Sequence, residues 1–173
     1  MGEIVNPLDY QTERVDPFSL TCVEFCGRSE VVVGNGAGQL KLWDLKSKDT
    51  APVLTMNPNV IVNTIHGTSS IAVHPSQQHL AIVAYQSGSM DLFDLRLGSG
   101  CDPIANLSSD AGCLSELYFH LLYPDHFFSC SQTGQVSHWY PRHGAFYTHG
   151  MYCIYFPVMA RVEASFLRFS FIF

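Results

Sequence analysis

The feature that most limits how this chain can fold is a seven-residue block that occurs three times. Gly38-Gln39-Leu40-Lys41-Leu42-Trp43-Asp44 is followed 50 residues later by Gly88-Ser89-Met90-Asp91-Leu92-Phe93-Asp94. Gly134-Gln135-Val136-Ser137-His138-Trp139-Tyr140 comes another 46 residues on. Each block starts at a glycine, alternates apolar positions and ends on a large aromatic residue, the period of a half-buried strand. The context repeats as well. Apolar strands precede each glycine: Val31–Val33, Leu80–Ala84 and Phe127–Cys130, joined to the blocks by short Gly-containing turns that signal β-hairpins. One strand earlier lie Thr21–Phe25, Ile71–Pro75 and Leu117–His120, and after the first two aromatics come Pro52–Met56 and Pro103–Leu107. Four strands per unit result. Such a unit cannot bury both of its faces alone, so it must stack on its neighbours. Trp43, Phe93 and Trp139 are the bulky residues expected to fill the space between units, with Asp44 and Asp94 closing the strand ends.

The repeat length lies near the ~40–45 residues of WD repeats, and Leu40-Lys41-Leu42-Trp43-Asp44 resembles the signature of the WD-repeat β-propeller family. Together with His74-Pro75-Ser76-Gln77-Gln78-His79 and the run Tyr123–Ser131, it is similar to the later blades of the WD-repeat nucleoporins on the short arm of the nuclear pore's Y-shaped complex. The resemblance covers residues 19–140. It implies an all-β chain, a partial WD-repeat β-propeller of two to three four-stranded antiparallel blades. It further implies a non-catalytic scaffold in the outer ring of the pore, with other Y-complex nucleoporins as partners and nucleocytoplasmic transport and mRNA export as the processes served. It also implies a nuclear location, with kinetochores in mitosis. The runner-up expectation is a WD-repeat adaptor of another complex, such as a ubiquitin-ligase substrate receptor or a signalling scaffold.

The chain departs from the family pattern at several places. WD repeats place an Asp before the hairpin glycine and a Gly-His pair before the first strand. Here Ala37, Ser87 and Thr133 precede the glycines, no Gly-His dipeptide occurs, Phe93 replaces a Trp and Tyr140 an Asp. Blades with so incomplete a polar network should rest more on apolar stacking. Three repeats also fall short of the ~4 blades of the smallest closed propeller, so the chain reads as a fragment or shortened isoform.

Other features exclude function classes. The net charge is −6, and the repeats carry the acidic surplus, with residues 1–140 at −8. Phosphate binding needs clustered Lys and Arg, so no direct nucleic-acid ligand is expected. No stretch reaches the ~18 apolar residues of a membrane span, and no basic-then-apolar leader opens the chain. The cysteines form no CxxC pair, and the histidines are too irregularly spaced for a ligand set, so no metal is expected. Val31-Val32-Val33-Gly34-Asn35-Gly36-Ala37-Gly38 looks like a strand entering a dinucleotide loop, but an alternating strand follows where that fingerprint needs a helix. A hairpin turn explains all three equivalent positions. No Gly-x-Ser-x-Gly elbow exists, and Asp91 and Asp94 fall on opposite strand faces. No catalytic residue and no cofactor are therefore expected. Asn35, Tyr85, Gln86 and Gln132, at the hairpin turns, are the candidate partner-binding residues, because loops carry recognition on rigid scaffolds. Residues 1–18 read as an irregular lead-in. Residues 141–173, where nine of 33 are Phe or Tyr, read as an atypical tail from an alternative or mis-predicted exon.

Overall fold

The computed structural model describes residues 17–47, 51–57, 67–109, 111–142 and 145–153. Twelve strands make three four-stranded antiparallel sheets, each in simple sequence order. Blade 1 holds β1 (Leu20–Cys26), β2 (Glu30–Asn35), β3 (Leu40–Asp44) and β4 (Leu54–Met56). Blade 2 holds β5 (Thr68–Val73), β6 (Leu80–Tyr85), β7 (Ser89–Asp94) and β8 (Ala105–Ser108). Blade 3 holds β9 (Leu114–Phe119), β10 (Phe127–Ser131), β11 (Gln135–Arg142) and β12 (Ala145–Cys153). The three meanders stack as propeller blades, as the repeat predicts.

The hairpin glycines set the register. Gly38, Gly88 and Gly134 adopt φ of 79°, 90° and 84°, a left-handed conformation that costs a side chain strain. Each donates its N–H to the carbonyl three residues back (Asn35, Tyr85 and Ser131, all at 3.0 Å). That geometry is a tight turn closed by a left-handed residue, a common three-residue hairpin connection. It places Gly34 opposite Leu40, Ala84 opposite Met90 and Cys130 opposite Val136. The three hairpins are thus in one register, and every alternating residue reaches the equivalent face in each blade.

Blade 2 shows what that alternation accomplishes. Its odd-numbered residues Ile71, Ala81, Val83, Tyr85, Phe93 and Leu95 pack with Cys26, Val32, Leu40, Leu42, Leu54 and Met56 of blade 1. Its even-numbered residues Ala72, Ile82, Ala84, Met90 and Leu92 pack with Leu114, Leu117, Phe127 and Trp139 of blade 3. One sheet therefore serves two cores, which is why its strands are apolar at nearly every position. Phe93 fills the first interface. Trp139 fills the second, with its ring parallel to that of Phe127 at 5.7 Å.

Trp43 departs from the expectation that all three aromatics lie between blades. It stands on the face of blade 1 turned away from blade 2 and is only half-buried. Each aromatic packs towards the preceding blade, and the described residues hold none before blade 1. The third sheet also runs further than the repeat suggested. β12 lies in the span read as tail and pairs with β11 from Arg142 opposite Ala145 to Gln135 opposite Cys153. Its sequence lacks the Pro-led apolar run of β4 and β8, so the pattern did not mark it. The rest of the expected tail, residues 154–173, and the lead-in up to residue 16 lie outside the described residues.

Candidate interaction surface

The inner strands β1, β5 and β9 lie side by side and form one wall of an axial groove of about 500 Å³. Inter-blade hydrogen bonds help to fix their spacing. Thr68 Oγ1 donates to the Asn35 carbonyl at 3.1 Å, holding blade 2 on blade 1. Leu117 N donates to Ser70 Oγ at 3.0 Å, holding blade 3 on blade 2. Gly34 lets the first pair of blades approach, since a Cβ there would collide with the Thr68 side chain.

The groove offers acceptors and hydroxyls. Thr21, Glu24, Ser69, Glu116 and Tyr118 line it, and no Lys, Arg or His does. Burial pushes the Glu116 carboxyl above its ordinary value, partly offset by a hydrogen bond from Tyr118. Burial likewise pushes up the Tyr118 hydroxyl, helped by the Glu116 charge beside it. Ser69 Oγ is buried without a hydrogen-bond partner among the described residues. This chemistry suits groups that donate hydrogen bonds, such as a peptide backbone or a cationic side chain, and repels phosphate. Cys22 Sγ points at Thr68 Oγ1, 3.6 Å away, with no base next to it. Among the described residues no three His, Cys, Asp or Glu side chains are grouped as a metal would require, and no helix is long and apolar enough to cross a membrane.

The residues singled out in the sequence divide sharply. Asn35 is fully buried; its Oδ1 accepts from Ala37 N and Gln39 N, both at 3.0 Å, so it shapes the hairpin from within. Tyr85 is buried too, donating its hydroxyl to Asp91 Oδ2 at 3.0 Å, and burial with that neighbouring charge pushes its ionisation far up. Gln86 and Gln132 are exposed, one residue further along the turn, where each donates its backbone N–H to the residue before the inner strand (Gly67 at 3.1 Å, Cys113 at 2.9 Å). Asn35 and Tyr85 therefore occupy one position of the turn and the two glutamines another. Asp44 and Asp94 close the strand ends: their Oδ1 atoms accept from Lys46 N at 2.9 Å and Arg96 N at 3.0 Å. The Arg96 fork adds bonds from Nε and Nη2 that hold the Asp94 carboxyl down at about 2. Trp139 Nε1 donates to Ser129 Oγ at 2.9 Å, a polar tie that the Phe93 ring, with no N–H to donate, cannot make.

Sequence reasoning missed the groove residues Ser69, Glu116 and Tyr118. The signal was available: three inner strands in one register must present equivalent residues to the axis.

Comparison with known proteins agrees with this architecture. The chain is 31% identical over 127 residues to mouse "Nucleoporin Nup43" and 30% identical over 129 residues to the human protein of that name. The Dictyostelium discoideum "Nuclear pore complex protein nup43" is 26% identical over 131 residues. These matches take in 73% of this chain but only 32%, 32% and 29% of the relatives, so the chain spans about a third of their length. Among solved structures, the Cps50 (Swd1) β-propeller domain of Myceliophteria thermophila superposes with a TM-score of 0.62 at 14% identity, over 76% of this chain and 39% of that one. No family model matches.

Proposed function

We propose that this chain, a WD-repeat β-propeller protein of nucleoporin-like sequence, acts as a non-catalytic scaffold of the nuclear pore's outer ring and serves transport across it. The observation that carries this reading is the similarity to Nup43 from three organisms over 73% of a chain whose described residues fold into blades. The site chemistry supports it. The described surface offers an acidic groove and hairpin loops, and no nucleophile paired with a base. Its partners are then protein subunits, with other Y-complex nucleoporins first among them, and it works without cofactor or metal. Gln86 and Gln132 remain as exposed turn residues able to contact such a partner.

Affinity purification of the tagged chain from nuclear extract tests the reading. Recovery of Y-complex nucleoporins with a nuclear-rim signal of the tag is expected. Recovery of a ubiquitin ligase or a signalling complex in their place would overturn it in favour of an adaptor. Imaging the same tag in mitosis tests attendance at kinetochores.

A further inference from the structure

We propose that the step from Asn35 to Gly36, at the hairpin between β2 and β3, is a latent deamidation site. It is inert while the first residues of β1 are in place and reactive once they lift, so that opening of blade 1 is written into the covalent chain.

Asn-Gly occurs once in the chain. Deamidation there requires the backbone nitrogen of Gly36 to bond to Asn35 Cγ, closing a cyclic succinimide. The Gly36 N–H proton passes to solvent, the Cγ–Nδ2 bond breaks and Nδ2 leaves as ammonia. Water then opens the ring at one or the other carbonyl, giving aspartate or isoaspartate. Glycine favours the step because it brings no Cβ against the closing ring and leaves the following backbone free to turn. Blades 2 and 3 have no such route. Tyr85-Gln86 and Ser131-Gln132 stand at the same place, and the N–H groups of Gly36, Gln86 and Gln132 all donate to the residue before the inner strand.

In the folded hairpin the atoms that ring closure needs are engaged elsewhere. Asn35 is fully buried, and its Oδ1 accepts from Ala37 N and Gln39 N, both at 3.0 Å. Its Nδ2 donates to Gln39 Oε1 at 3.1 Å. These bonds fasten the amide across the turn, away from Gly36 N, and burial keeps out the water that must open the ring. Gly36 N donates to Ser19 O at 2.8 Å, while the Asn35 carbonyl accepts from Gly38 N at 3.0 Å and from Thr68 Oγ1 at 3.1 Å. The weak point is the start of β1. Ser19 and Leu20 are exposed, and the register with β2 shifts between Leu20 and Cys22, so these residues lie beyond an irregularity that loosens their pairing. Opening such a strand end costs less than unfolding the whole. It releases Gly36 N and, in the same motion, removes Leu20 from its place opposite Asn35. The products then oppose closure. Isoaspartate routes the main chain through Cβ and Cγ, lengthening the turn, and aspartate brings a charge into a fully buried position.

The test incubates the full-length chain in mildly alkaline buffer under native conditions, in graded urea below the unfolding midpoint, and fully unfolded. Mass spectrometry of the peptide holding Asn35 measures the acid form, and labelling by an isoaspartyl methyltransferase measures isoaspartate. A synthetic peptide of residues 31–40 gives the unprotected rate. The native chain is expected to deamidate at least ~10-fold more slowly than the peptide, and the rate is expected to climb in urea before circular dichroism reports unfolding. Gly36→Gln installs the residue of blades 2 and 3 and should suppress the acid form even in full urea, where the fold of the variant is immaterial. A native rate equal to that of the peptide would overturn the proposal, since the hairpin would then protect nothing. A rate that rises only in step with global unfolding would overturn it as well, because the start of β1 would not be the gate. So would an acid form that appears at the wild-type rate in the unfolded Gly36→Gln chain.

Discussion

Blades 1 and 2 place apolar residues at equivalent positions with opposite results. Val23 pairs with Val33 and Ile71 with Val83, so the two side chains hold one position in the repeat. Val23 is 65% exposed and Ile71 only 6%. Phe25 and Val73 differ in the same way, as do Trp43 and Phe93. The strands themselves do not account for the difference, because their alternation and register are shared. Blade 1 lies over the odd-numbered face of blade 2, and no described residue lies over the corresponding face of blade 1. Val31 and Val33, in the middle of that open face, are covered within blade 1 itself, but burial of the larger side chains around them is conferred by a neighbouring blade, and stability is largely a sum over interfaces.

The aromatic pair gives the largest expected contrast. Phe93→Ala should cost about 3–5 kcal/mol, the range for a fully enclosed aromatic whose loss leaves a cavity. Trp43→Ala, at the equivalent but half-buried position, should cost about 1–2 kcal/mol. Urea unfolding of the two variants measures both. Equal losses would mean that Trp43 is covered after all, and the contrast between the blades would collapse. The aliphatic pair repeats the experiment on a smaller scale. Ile71→Ala is expected to cost about 2–4 kcal/mol, while Val23→Ala stays within about 0.5 kcal/mol. A substantial loss from Val23→Ala would show the exposed face to be part of a core.

What the sequence disclosed follows the same line. The repeat, the strand alternation and the hairpin glycines were legible, because each is local and recurs. Which aromatic would be buried was not, since Trp43 and Phe93 differ only in what lies next to them. Asn35 and Tyr85 looked like surface turn residues because a turn position shows nothing of side-chain direction, and both point inward to Gln39 and Asp91. β12 was missed because it carries none of the signals of β4 or β8.

Blade 3 allows the comparison to be rewritten by substitution. Trp139, opposite Phe127, reaches diagonally to Ser129, whereas Phe93, opposite Ala81, has Val83 at the equivalent diagonal place. Trp139→Phe removes the indole donor and leaves the Ser129 hydroxyl buried without its partner, an expected loss of about 1–2 kcal/mol. Adding Ser129→Val recreates the pairing of blade 2 and should recover part of that loss. No recovery would mean that the volume of the indole, and not its hydrogen bond, is what blade 3 uses.

The smallest effect concerns the turns after β3 and β7. Asp44 accepts a backbone bond from Lys46, but Asp94 is also gripped by the Arg96 guanidinium, whose Nη2 lies 2.6 Å from Oδ2. That grip holds Asp94 at about 2 in the folded chain, against about 3.9 for an unfolded aspartate. The unfolded state therefore binds the proton first as the pH falls. The stabilisation from this carboxylate is complete above about pH 4 and disappears on descending to about pH 2. Arg96 is largely exposed, so solvent screens the pair and keeps the effect small. Asp94→Asn should accordingly flatten the dependence of the urea midpoint on pH between 4 and 2. If the variant follows the wild-type curve in parallel, the Arg96 fork adds nothing to blade 2 that blade 1 lacks.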